Sequence, residues 1–155
     1  MAAIYLPRGV LLQIQAKDRV AGGNSVIWNK VSEHNRQPIS VNSNRIEQVT
    51  RMSNGTLRKL FVADKKQYSV AWTMLPATRA YTADGYWGAK DIITFYNSDD
   101  GRSTFSIRLN YAEAGTNQES SGYEEYQVNC SSFNATLNKR GLVPFWDISM
   151  TMDEV

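Results

Sequence analysis

Gln67–Leu75 reads QYSVAWTML, and this stretch decides the fold. Tyr68, Val70, Trp72 and Met74 alternate with Gln67, Ser69, Ala71 and Thr73, the period of two that sets large side chains on one face of a pleated strand. Burying each such side chain is worth roughly 1.5 to 3 kcal/mol, so four on one face anchor a sheet once another layer covers them. The remainder of the chain has to supply that layer.

Upstream, Arg45–Val62 holds two β-prone runs around Asn54-Gly55, the dipeptide that most readily supplies the positive φ angles of a tight hairpin. Its second run, Thr56–Val62, leads through Asp64-Lys65-Lys66 into the opening strand, which predicts a meander of three antiparallel strands. Downstream, Pro76 ends the strand and a loop runs to Asp84-Gly85. Asp84 is the predicted N-cap of a helix near residues 86–97, in which Trp87, Ala89, Ile92, Ile93, Phe95 and Tyr96 share one side until Asn97–Gly101 stops the run. That helix is the expected covering layer.

Ser103–Tyr111 alternates Phe105, Ile107 and Leu109 against polar residues, a second half-buried strand. A polar loop is expected over 113–122. Glu125–Phe133 alternates Tyr126, Val128 and Cys130, with Asn134–Leu137 extending it after a bend. Phe145–Glu154 sets Trp146, Ile148, Met150 and Met152 against Asp147, Ser149, Thr151 and Asp153. Six or seven antiparallel strands with one helix make a mainly β (α+β) protein, an antiparallel β-sandwich or flattened barrel.

Residues 1–40 read as an extended N-terminal arm ahead of a 41–155 domain, because Pro7, Gly22-Gly23 and Pro38 punctuate short apolar pieces. Tyr5, Leu11, Leu12, Ile14, Ile27 and Trp28 then pack either on the domain or on another subunit. On this reading, removing Met1–Ser32 leaves a folded domain.

The 155 residues, 42% hydrophobic and 21% charged, suit one core. The start lacks a basic leader before a long apolar run, and no stretch approaches the ~20 apolar residues of a membrane span, so neither export nor insertion is expected. Residues 1–66 carry 11 Lys/Arg against 4 Asp/Glu, while 67–155 carry 6 against 11. This split either draws one end of a subunit to its neighbour or belongs to two solvated surfaces.

Chemistry has little to stand on. With one cysteine and one histidine there is no internal disulfide and no Cys/His zinc set. His34 in SEHNRQP reads as solvated, and Cys130 as a small buried hydrophobe. The pairs Asp99-Asp100, Glu124-Glu125 and Asp153-Glu154 fall at element ends, where turn formation accounts for them. Neither GxxxxGK[ST] nor GxGxxG occurs. Three Asn-x-Ser/Thr matches, at Asn54, Asn129 and Asn134, lack a secretion signal. Arg51, Arg58, Lys59, Lys65 and Lys66 beside Phe61 and Tyr68 offer a modest single-strand platform. An enzyme, a cofactor, a metal, a membrane contact and sequence-specific nucleic acid are all unexpected partners or roles.

From Asn35 to Val155 the chain resembles small bacteriophage tail structural proteins, through NRQPISV, RMSNGTLRKLFVADKK, YSVAWTMLP, DGYWGAKDI, TFSIRLNY and the closing KRG with FWDISMTMDEV. The resemblance implies a tail-tube-like β-sandwich flanked by a helix, six copies to a ring in the tube or at its tip, and a hairpin and arms that cross subunits. It implies a virion protein made in the host cytoplasm, with itself and other tail proteins as partners. On that basis the expected contact residues are Leu11, Ile14, Trp28, Asn54, Gly55, Arg58, Lys59, Tyr86 and Trp87, with Tyr86 and Trp87 equally readable as core. A competing reading is a virion-associated carbohydrate- or ligand-binding module in which Tyr81, Tyr86 and Trp87 stack a sugar ring.

Overall fold

The computed structural model describes residues 11–18, 25–110 and 123–155, Tyr123 by its backbone alone. The polar loop expected over 113–122 and the first ten residues of the arm, Tyr5 included, lie outside the described residues. Seven strands are present among them: β1 (Leu12–Lys17), β2 (Val26–Lys30), β3 (Ser40–Arg51), β4 (Leu57–Pro76), β5 (Phe105–Asn110), β6 (Tyr123–Lys139) and β7 (Phe145–Glu154). They join in one sheet in the order β2-β1-β5-β6-β7-β4-β3, every pairing antiparallel. The helix α1 (Ala89–Tyr96) covers it, followed by the four-residue α2 (Asp99–Arg102).

The stretch that opened the reading becomes the inner half of β4. Tyr68, Val70 and Trp72 are buried, opposite Met152, Met150 and Ile148 of β7. Met74 departs from the expected face. The register shifts between Trp72 and Leu75, Met74 takes φ 53°, and Leu75 turns inward in its place. The Met74 N–H lost to the ladder donates to Asp147 Oδ1 at 2.9 Å. A non-glycine residue is strained in this left-handed region, so the carboxylate compensates for part of that cost.

Leu12 and Ile14 of β1 share one buried cluster with Tyr68, Val70 and Trp72, although three strands separate β1 from β4. At about 4.8 Å per strand a flat sheet would hold β1 and β4 roughly 19 Å apart. Yet Val31 N donates to Leu12 O at 3.2 Å while the next residue's carbonyl accepts from Trp72, so the sheet curls toward a flattened barrel. The connection from β2 to β3 spans the gap between its two edges. Trp72 Nε1 donates to the Ser32 carbonyl at 2.8 Å, Gln37 N to Ala71 O at 2.8 Å and Thr73 N to Asn35 O at 3.3 Å. Residues 32–39 thus strap β2 to β4.

Helix α1 lays Ala89, Ile92 and Phe95 on the core, with Phe95 edge-on to Phe105 at 5.0 Å between centroids. Its N-cap is Gly88, not Asp84. Asp91 Oδ2 accepts from Gly88 N at 3.1 Å, and a Cβ at Gly88 would lie 2.7 Å from Pro76 O, so the helix start packs against the end of β4 only with glycine there. Asp84 instead holds the strap, accepting from Ser32 Oγ and Glu33 N, both at 2.9 Å.

Two further expectations change. The 1–40 arm is not wholly an arm: β1 sits inside the sheet between β2 and β5, with Leu12, Ile14 and Ala16 in the core. Its LQIQA alternation is that of a strand with one partner nearby, β2, and a second, β5, far along the chain. The three-strand meander is a two-strand hairpin, since β4 runs unbroken through Asp64-Lys65-Lys66. Charged residues at exposed strand positions do not interrupt pairing.

Candidate assembly surface

A strand needs cover on at least one face, and among the described residues the outer half of the β3–β4 hairpin has none. β7 pairs with β4 only from Gln67 onward, so, among the described residues, the stretch 57–66 pairs with β3 alone. Ten residues at about 3.4 Å each carry this ribbon roughly 34 Å from the body. Isolated two-stranded ribbons are marginal in water. Yet in this one Ile46, Val49, Met52, Leu57, Leu60, Phe61 and Val62 are all exposed, Val62 at 62%.

Register assigns these side chains to faces. Glu47, Val49 and Arg51 lie opposite Phe61, Lys59 and Leu57 on the face continuous with Tyr68, whereas Gln48 and Thr50 lie opposite Leu60 and Arg58 on the other. The first face is knit by charge. Arg45 Nε and Nη2 reach Asp64 Oδ1 and Oδ2 at 2.8 and 3.3 Å, Lys59 Nζ reaches Glu47 Oε2 at 2.7 Å, and the Arg45 guanidinium lies 5.8 Å from the Phe61 ring. The hydrogen bond from Arg45 holds the Asp64 carboxyl below its ordinary value, and Asp64 in turn raises Arg45. An open groove of about 340 Å³ is lined chiefly by Gln48, Thr50, Met52, Arg58 and Leu60 of the second face, with Lys59 of the first face contributing.

The tip corrects one detail of the turn. Gly55 N donates to Met52 O and Met52 N to Thr56 O, and only Gly55 has positive φ, at 85°, so the hairpin closes through a three-residue loop with a left-handed glycine rather than the primed two-residue turn. Asn54 Oδ1 accepts from Thr56 N at 3.0 Å, and Arg51 Nη1 donates to Gly55 O at 2.9 Å. β3 is also an edge strand of the sheet, as is the 57–66 stretch of β4 on its far side. Such edges accept further strands.

Of the expected contact residues, Asn54, Gly55, Arg58 and Lys59 come together on this ribbon, all exposed. Trp28 and Tyr86 form a second, smaller patch. They line one depression of about 370 Å³, with Lys30 Nζ 5.3 Å from the Tyr86 ring and the Arg108 guanidinium 3.9 Å from the Trp28 ring. Leu11 is half-buried against the core. Ile14 and Trp87, 0% and 5% exposed, belong to the subunit's own interior, because their strand and helix-start positions point inward. Sequence reading missed Ile46, Val49, Leu57, Leu60, Phe61 and Val62. The continuous apolar run LFV beside polar neighbours was the signal available.

Other constellations resolve into structure. Burial of Trp87 breaks the Tyr81–Tyr86–Trp87 platform, leaving Tyr81 exposed alone. His34 is half-buried, and its Nδ1 accepts from Ala83 N at 3.1 Å, so it is not simply solvated. Ser32, His34 and Asp84 meet, but the fully buried Ser32 hydroxyl donates to Asp84 and accepts from the His34 backbone, an arrangement that ties the strap to the 82–85 loop. Lys65 and Lys66 reach Val155 O and the Tyr126 hydroxyl, and Tyr68 is buried, so those three do not form an exposed cation–aromatic platform. Cys130 is half-buried, and desolvation raises its thiol pKa. Among the described residues no three His, Cys, Asp or Glu side chains group as metal ligands, and no helix is long and apolar enough to cross a membrane.

No known family matches the sequence, and no curated protein does. Among solved structures, a chain from the tail of an empty GTA (phage-like gene transfer agent) particle, refined with helical and C6 symmetry, aligns with a TM-score of 0.54 at 10% identity, over 94% of this chain and 90% of that one. The likeness is one of overall fold and spans nearly the whole of both chains.

Proposed function

We propose that the chain is a structural subunit of a bacteriophage-like tail, forming a ring in the tail tube or at its tip through contacts between copies. The observation that carries this is the ribbon. It exposes seven large apolar side chains and two strand edges that no described residue of its own subunit covers. A head-to-tail contact in which each ribbon docks on the next copy uses every such surface once and closes into a ring when the rotation per copy is a whole fraction of a turn. The solved tail to which the fold is similar has six-fold symmetry, and six is the expected count.

Charge supports the same contact. Between residues 41 and 66 there are six Lys/Arg and two Asp/Glu, whereas the body carries Glu124, Glu125, Asp153 and Glu154 near the β5–β6–β7 end. Light-scattering mass and negative-stain imaging of the purified protein, over rising concentration and two salt levels, test the reading. Rings that weaken as the Debye length falls from about 8 Å to about 3 Å, and that vanish when residues 44–64 are replaced by a short turn, are expected. A monomer at every concentration, or rings untouched by loss of the ribbon, overturns it.

A further inference from the structure

We propose that Asn54 is a site of spontaneous covalent modification, at which the hairpin tip converts its neutral amide to an aspartyl or isoaspartyl carboxylate. Of the twelve asparagines in the chain, Asn54 alone precedes a glycine. Gly55 has no side chain to shield its nitrogen, and apart from its own chain neighbours nothing lies within 4 Å of where a Cβ would stand, so no packed group crowds the tip at this residue.

The turn adds an electronic contribution. Asn54 Oδ1 accepts from Thr56 N at 3.0 Å, which polarises the side-chain carbonyl and places a donor where negative charge grows during attack at Cγ. The Gly55 N–H must first leave Met52 O, 2.9 Å away, which an exposed tip permits. Then the Gly55 nitrogen bonds to Asn54 Cγ, the Cγ–Nδ2 bond breaks, the amide proton leaves with the departing nitrogen as ammonia, and a five-membered succinimide remains. Water opens the ring at either carbonyl. One opening gives an ordinary aspartyl residue, and the other gives an isoaspartate that carries an additional main-chain methylene.

Both products set a carboxylate beside Arg51, whose Nη1 already donates to Gly55 O at 2.9 Å. The isoaspartate also lengthens the loop, so the Met52–Thr56 closing bond loses its register. This inference does not rest on the tail assignment, since it concerns the tip of the free subunit.

The test incubates the intact folded protein at neutral and mildly alkaline pH, digests it with trypsin and follows the peptide Met52–Arg58 by mass spectrometry, beside the same chain unfolded in urea. Conversion first at Asn54, resolved by chromatography into two isomers, faster at alkaline pH and within about tenfold of the unfolded rate, is expected, a tenfold difference being about 1.4 kcal/mol of barrier. Prior conversion of any other asparagine, or a folded rate more than about tenfold below the unfolded one, overturns the proposal. Asn54→Gln, whose longer side chain disfavours the five-membered ring, should abolish the signal in that peptide.

Discussion

Replacing Trp72 with phenylalanine tests the closure of the barrel. The indole is 1% exposed, and its Nε1 donates to the carbonyl of Ser32, itself 0% exposed, across the strap that joins β2 to β4. Phenylalanine keeps an aromatic ring on the core face but removes this donor, leaving a buried carbonyl unpaired at a cost of about 1 to 3 kcal/mol. The smaller ring also opens a void beside Ile148 and Val70, adding about 1 kcal/mol. The sum, roughly 2 to 4 kcal/mol, corresponds to a fall of about 1 to 2 M in the urea midpoint for a slope near 2 kcal/mol per molar. Circular dichroism gives the midpoint, and hydrogen exchange at Gln37 and Thr73 reports whether the strap loosens, because both amides bond across it. A loss under about 0.5 kcal/mol, with unchanged exchange at those two amides, would show that the Trp72–Ser32 bond does not hold the barrel shut.

Gly55→Val places a β-branched residue at φ 85°, where open space removes any clash but the left-handed backbone costs roughly 1 to 2 kcal/mol; ring formation should fall while the urea midpoint of the body hardly moves, as paired stain imaging and denaturation will show. Deleting residues 1–32 removes β1 and β2 with Leu12, Ile14 and Ala16, so the product should lack a cooperative unfolding transition, and a sharp one would contradict the placement of β1 in the sheet. The Asp64 carboxyl, held low by Arg45, contributes ribbon stability that is fully present above its unfolded pKa and lost as pH falls through the lower folded value; carbon-detected NMR should follow that titration, and Arg45→Gln should return it to the ordinary carboxylate range.

Local alternation was enough to read β4, β5, β7 and α1, because a half-buried face writes its period directly into Tyr68–Val70–Trp72, Phe105–Ile107–Leu109 and Ile148–Met150–Met152. It failed for β1. Leu12–Ala16 alternates too, but it is short and lies among Pro and Gly punctuation; β2 pairs with it nearby, while its place inside the sheet depends on Ile107–Leu109, more than ninety residues away. Nothing local announces such a pairing. Asp84 was misread for a related reason: it has the chemistry of a helix cap but is used fifty residues back, on Ser32 and Glu33. For the ribbon, the turn and its cations were legible, whereas the exposure of Leu60, Phe61 and Val62 was not, since a strand's period does not say whether anything covers it.

The position of β7 in the sheet has a consequence for biosynthesis. It lies between β6 and β4 and so joins the group β2-β1-β5-β6 to the β4-β3 hairpin, yet it is translated after all six of the other strands. Until Phe145–Glu154 leaves the ribosome, Tyr68, Val70 and Trp72 have no neighbour in β7, and the sheet remains two unjoined pieces. Such non-local closure is slow and exposes strand edges to aggregation while it waits. A chain terminated before Phe145 therefore lacks a central member of the sheet rather than a dispensable tail, and cannot complete the native fold.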